Sequence, residues 1–209
     1  RRRPRRPRRR WLPGDEAAIL AALAALGRGA GELAAVVLTH GHADHAGAAA
    51  AVRAATGAPI LLAAGDVAMA AAGLNVPLVP TGLEARLVKP FVPQSFPPVA
   101  PDEVLEGPRD LAGFGVAATA RPLGGHTRGS AIVELAGDDV LVGDLVRGGR
   151  LGGRWRGTVP MTHYYEEEPA SVTAVVDAVL QGGARRLLVG HGGPLDAVAV
   201  GTWRRGRPG

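Results

Sequence analysis

The chain has 209 residues, 46% hydrophobic and 4% aromatic, which is enough apolar material for one sizeable domain and too much for a chain disordered throughout. It has no cysteine, which excludes a disulfide framework and any thiolate ligand, so a bound metal must be held by nitrogen and oxygen. The formal charge of +5 is uneven: eight of the 24 Lys+Arg lie in residues 1–10 (RRRPRRPRRR), leaving 16 basic against 19 acidic residues elsewhere.

Residues 1–11 read as a disordered Arg-rich tail, because like charges repel and nothing apolar is present to bury. Clustered arginine suits phosphate, but only Trp11 interleaves it and the remaining chain is acidic, so nucleic acid is disfavoured as a partner. No apolar stretch reaches the length of a membrane span and the N-terminus lacks the apolar core of a signal peptide, so the expectation is a cytoplasmic protein with no membrane partner. A domain is expected over 12–200, with a flexible C-terminal tail over 201–209.

In chain order, Pro13-Gly14-Asp15 opens a helix over Ala17 to Leu26 that Gly27 stops. Ala34 to Thr39 reads as a buried strand, His40 to His45 as a loop, and Ala46 to Ala55 as a helix of small residues. A second unit follows, with strand Pro59 to Ala63 and helix Asp66 to Ala72. Between 74 and 108, prolines at 77, 80, 90, 93, 97, 98, 101 and 108 break any long element, which suggests either a linker or a flap carrying Phe91 and Phe96 over a pocket. Val116 to Arg121, Ser130 to Leu135 and Val140 to Val142 are strand-like, the last two joined by the Gly137-Asp138-Asp139 turn. Pro169 to Leu180 reads as a helix and Arg186 to Val189 as a final strand.

The chemistry is concentrated where apolar runs end. His40-Gly41-His42-Ala43-Asp44-His45 packs four imidazole or carboxylate donors into six residues directly after a strand, the ligand types that zinc and similar divalent ions take. His126 follows Pro122-Leu123-Gly124-Gly125, Asp144 follows Val140-Leu141-Val142-Gly143, and His191 follows Leu187-Leu188-Val189-Gly190. Strand ends hold side chains rigidly at a sheet edge, and the glycines permit a sharp turn beside an ion. His163, in Met161-Thr162-His163-Tyr164-Tyr165, and Tyr165 are candidates for lining a substrate pocket, and Thr127 for a hydrogen bond that supports His126.

With these motifs in this order, the chain resembles the metallo-β-lactamase fold superfamily, which includes glyoxalase II, lactonases and tRNA 3′-processing nucleases, over roughly residues 11–196. The resemblance implies an α+β fold, a four-layer αββα sandwich. It implies a first metal on His40, His42 and His126, a second on Asp44, His45 and His191, and Asp144 bridging both. It further implies two Zn(2+) ions, with Fe or Mn compatible with the same donors, and a metal-bridging hydroxide that cleaves a small ester, thioester or lactone. Asp44 would orient that hydroxide or carry its proton as the catalytic carboxylate. The superfamily normally opens with a pair of strands where RRRPRRPRRRW stands here, so the N-terminal half is expected to be incomplete and the strand before His40 to lie at an exposed sheet edge.

The partner expected is a small-molecule substrate, and the sequence leaves the oligomeric state open. A phosphodiesterase or nuclease on the same fold is the alternative, followed by a mononuclear iron dioxygenase and by an inactive, truncated member. Diiron electron-transfer members usually carry Glu where this chain has Ala43, which disfavours that branch.

Overall fold

In the computed structural model, residues 14–150 and 155–206 are described. The Arg-rich tail and residues 207–209 lie outside the described residues. The elements run α1 (Glu16–Ala25), β1 (Val36–Val37), α2 (Ala43–Ala46), α3 (Ala49–Thr56), β2 (Ile60–Ala63), α4 (Val67–Ala72), α5 (Leu83–Val88) and β3 (Glu103–Leu105). They continue with β4 (Arg109–Asp110), β5 (Ala118–Pro122), β6 (Ala131–Leu135), β7 (Asp139–Gly143), β8 (Arg147–Arg150), β9 (Trp155–Met161), α6 (Pro169–Gln181), β10 (Arg186–Val189), β11 (Leu195–Asp196) and α7 (Ala197–Arg205).

Two larger sheets form, because the strands are apolar on both faces and each face needs its own cover. The N-terminal sheet is three-stranded and parallel, in the order β1-β2-β3. The larger sheet is six-stranded, in the order β11-β10-β7-β6-β5-β4, and β8 and β9 make a separate antiparallel pair. Alternation along the strands sorts side chains into layers. From β2, Ile60 and Leu62 face the helical layer that contributes Ala46, Ala49, Val52 and Ala70, whereas Leu61 and Ala63 face Ala118, Ala120 and Val133 of the other sheet. From β6 and β7, Val133 and Leu141 join that sheet-to-sheet interface, whereas Ile132, Val140 and Val142 face Val172, Val175, Val176 and Val179 of α6. Those four valines recur at helical spacing on one face of α6, and the result is an αββα sandwich. Strand β1 lies at the edge of its sheet among the described residues.

The structure corrects several expectations. Segment 74–108 is neither a bare linker nor a flap: it supplies α5 and β3, Phe96 is a core residue at 6% exposure, and Phe91 points outward at 86%. The frequent prolines hid the short elements between them. Arg147–Arg150 and Trp155–Met161 form the β8–β9 pair, which the glycines in them concealed. Residues 201–205, expected to be flexible, belong to α7, which is capped by Asp196 and fixed by Val200 in the α6 core and by Arg204 Nη2 3.0 Å from Asp177 Oδ2. Among the described residues no helix is long and apolar enough to cross a membrane.

Asp196 accepts from the Val198 and Ala199 amides at 2.9 and 3.1 Å, the bonds that start α7. Asp196→Ala is expected to lower stability by about 1 kcal/mol in urea unfolding; no change would mean that the two cap bonds do not contribute to the folded state.

Candidate metal centre

Every motif histidine and aspartate sits just past the end of a strand, at one edge of the sandwich. His40 and His42 follow β1, Asp44 and His45 lie in the single turn of α2, His126 follows β5, Asp144 follows β7 directly, and His191 follows β10. His163 follows β9 and joins them, so all six histidines of the chain meet in one place.

Asp144 is the hub. Its Oδ2 lies 3.0 Å from His163 Nε2, 3.2 Å from His191 Nε2 and 3.9 Å from both His40 Nε2 and His126 Nε2, and its Oδ1 lies 3.3 Å from His45 Nε2. Around it the donors fall into three groups: His40, His42 and His126; Asp44, His45, Asp144 and His191; and His126, Asp144 and His163, with the donor atoms of each group within 4.8 Å of one another. Bonds of about 2.1 Å in a tetrahedral site put donors about 3.4 Å apart. His42 Nδ1 and His126 Nε2, 2.9 Å apart, and His191 Nε2 and Asp44 Oδ2, 3.1 Å apart, are near that spacing.

The two halves of the cluster differ electrostatically. Burial removes hydration from the protonated form of His40 and His126 and, with neighbouring imidazoles, holds both well below the usual histidine range; burial likewise lowers His42 to about 4. These are neutral nitrogen donors. Burial also opposes charge on His45 and His191, but the Asp144 and Asp44 carboxylates override it and raise both. Burial would raise Asp44 and Asp144, yet the adjacent imidazoles hold both below the usual carboxylate range. A cation taking these atoms would displace the shared protons. Asp44 has 29% of its side chain exposed against 2% for Asp144, so the second half faces the opening.

Residues that the sequence did not single out orient the ligands. Thr39 Oγ1 lies 3.2 Å from His40 Nδ1 and 3.1 Å from His45 Nδ1, which leaves both Nε2 atoms turned inward. The buried Asp66 joins two motif loops: it accepts from the Gly41 amide at 2.7 Å, Thr127 Oγ1 at 2.7 Å and the Gly129 amide at 2.8 Å. Burial raises its carboxyl pKa, and the three hydrogen bonds oppose that rise. Thr127, expected to support His126, is thus engaged by Asp66; His126 Nδ1 instead meets the Tyr165 carbonyl at 2.6 Å. Tyr165 itself is buried, with its hydroxyl donating to Ala85 O at 3.2 Å, so its side chain faces the core and only its carbonyl reaches the centre. Burial pushes its phenol up to about 12. A separate cavity of about 420 Å³, lined by Thr81, Glu84, Arg147, Met161, Tyr164 and Trp203 among others, contains none of the clustered histidines.

The residues fit a metal. His40 Nε2, His42 Nε2, His163 Nε2 and Asp144 Oδ1 are buried without a hydrogen-bond partner among the described residues, a costly arrangement unless a ligand completes it. Space is tight around them: a Cβ on Gly190 would stand 2.1 Å from Asp144 Oδ1 and 2.8 Å from His45 Cε1.

Residues 10–195 match the sequence model of the Metallo-beta-lactamase superfamily. The chain belongs to the metallo-β-lactamase superfamily. Its fold and its His/Asp cluster are those of a metal-dependent hydrolase of that superfamily. Among solved structures it is similar to the metallo-β-lactamase MIM-1 from Novosphingobium pentaromativorans, at 18% identity and TM-score 0.64, covering 94% of this chain and 74% of that one. It is also similar to a metallo-β-lactamase from Pontibacter korlensis, at 17% identity and TM-score 0.63, covering 94% and 80%. A metallo-β-lactamase with a HARLDQ motif from Cronobacter sakazakii gives 22% identity and TM-score 0.59; there this chain, 86% covered, spans 64% of the relative's length. Among curated protein sequences none matches.

Two variants probe how this superfamily member holds its cluster. Asp66→Ala removes the acceptor of the buried Gly41 and Gly129 amides, leaves Thr127 Oγ1 with Ser130 Oγ alone, and is expected to lower stability on the order of 3 kcal/mol in urea unfolding. Gly190→Ala is expected to keep the native circular dichroism spectrum but to retain less bound metal by mass spectrometry, because the methyl displaces Asp144; wild-type metal content would contradict that geometry.

Proposed function

We propose that the protein is a dinuclear metal hydrolase of small carbonyl substrates, an ester, thioester or lactone. The observation that carries this reading is the buried carboxylate of Asp144, with one donor group on each side: His40, His42 and His126 on one, and Asp44, His45 and His191 on the other. In this reading those groups would hold one divalent cation each, with Asp144 available to both. The all-nitrogen-and-oxygen donor set favours zinc, with iron or manganese tolerated. Such a pair supplies Lewis acidity, lowering the pKa of water toward neutrality and polarising a substrate carbonyl.

The chain's own residues do the rest. Asp44, ionised and on the open side, accepts a hydrogen bond from the attacking water and passes its proton toward the leaving group. His191, 3.1 Å from Asp44, fixes the direction of that carboxylate. The deep half, buried around His40 and His126, excludes bulk water and keeps its imidazoles neutral.

Purified protein is expected to contain zinc, to hydrolyse members of an ester, thioester and lactone panel, and to lose activity on chelation until zinc is returned. A β-lactam belongs in the panel because the structural neighbours are named metallo-β-lactamases. Asp44→Asn is expected to lower kcat about 100-fold or more. Turnover of bis-nitrophenyl phosphate alone would replace this reading with a phosphodiesterase, and iron as the only resident metal would point to oxidative chemistry.

A further inference from the structure

His163 is the imidazole that the paired donor sets leave unused. It is 3% exposed, its Nε2 is 3.0 Å from Asp144 Oδ2, and its ring centroid is 4.4 Å from that of His126 and 5.3 Å from that of His191. Its Nδ1 lies 3.3 Å from the Tyr165 carbonyl, the same oxygen that His126 Nδ1 meets at 2.6 Å, and 3.4 Å from the Tyr165 amide nitrogen. One carbonyl therefore faces the Nδ1 of both rings while both Nε2 atoms face Asp144. His126, Asp144 and His163 form one donor group whose atoms lie within 4.8 Å of one another, and a backbone contact on the outer ring nitrogen is a common support for a metal-binding imidazole.

The backbone around His163 is clamped from two directions. Thr81 Oγ1 donates to His163 O at 2.6 Å and the Thr81 amide donates to Tyr164 O at 2.9 Å. From β8, Arg147 Nε donates to Thr162 O at 2.7 Å, and its guanidinium carbon stands 3.9 Å from the centre of the Tyr164 ring. The ring is thus held ready before any ligand arrives, as a ligand must be if binding is not to pay for ordering it. A substrate contact would need Nε2 to reach the opening, whereas it is buried against Asp144.

We propose that His163 is a metal ligand, acting with His126 and Asp144 beside the first cation position. It brings the imidazoles of the centre to six, the whole histidine content of the chain. The added nitrogen biases the site toward cations that favour imidazole over carboxylate. This inference rests on the reading of a cation site under the proposed function.

The test compares the full chain with His163→Gln by zinc titration against a chromophoric chelator and by the visible spectrum of the cobalt-loaded proteins. The variant is expected to bind one cation about 10- to 100-fold more weakly, with shifted cobalt bands and an unchanged second affinity. Equal affinities and identical spectra overturn the assignment of His163 alone, whereas a wild-type chain that takes up no cation overturns the cation site itself. If the variant does not fold, the wild-type protein loaded with cadmium-113 and labelled with nitrogen-15 histidine decides: cadmium coupling to six imidazoles supports the proposal, and coupling to five overturns it.

Discussion

A carboxylate taken out of water costs several kcal/mol unless charge and hydrogen bonds replace its hydration. Asp144, at 3% exposure, draws that compensation chiefly from His163, His191 and His45 at 3.0–3.3 Å, with His40 and His126 at 3.9 Å, and strand ends are arranged to bring these imidazoles and the carboxylate together. Each partner set holds the other in its charge state. Without Asp144 the raised histidines lose the charge that holds their protons, and without the imidazoles Asp144 would be forced neutral. The centre is therefore assembled by the fold as a unit, with ligand residues up to about 150 positions apart in the chain.

The layered architecture was legible because the strands carry apolar residues on both faces and the helices on one, so periodicity separated strand from helix for the long elements. Val172, Val175, Val176 and Val179 mark α6 without ambiguity. Periodicity failed where elements are short or poor in side chains. Leu83–Val88 and Glu103–Leu105 are too brief among prolines to show a pattern, and Arg147–Arg150 contains two glycines, so nothing in it alternates. α7 begins at an aspartate cap, Asp196, that the expectation of a flexible tail from residue 201 passed over.

At the centre, spacing identified the residues that lie beside one another in the sequence or end an apolar run next to glycine. His163 ends a strand too, but Thr162 precedes it and the strand behind it holds Gly157 and Pro160, so it lacked that signature. The supporting contacts had no sequence signal at all. Asp66 acts on Gly41, Thr127 and Gly129, and the Tyr165 carbonyl acts on His126, through distances that exist only once the loops meet.

The pairing of Val133 with Leu141 and of Glu134 with Val140 has a consequence for where Asp144 ends up. A slip of β7 by one residue would turn Val140 and Val142 toward the wrong layer and carry the following aspartate to the opposite face of the sheet. Greasy side chains several residues away thus act as an index mark for the one charged group that must not move. A single deletion within 140–142 erases that mark.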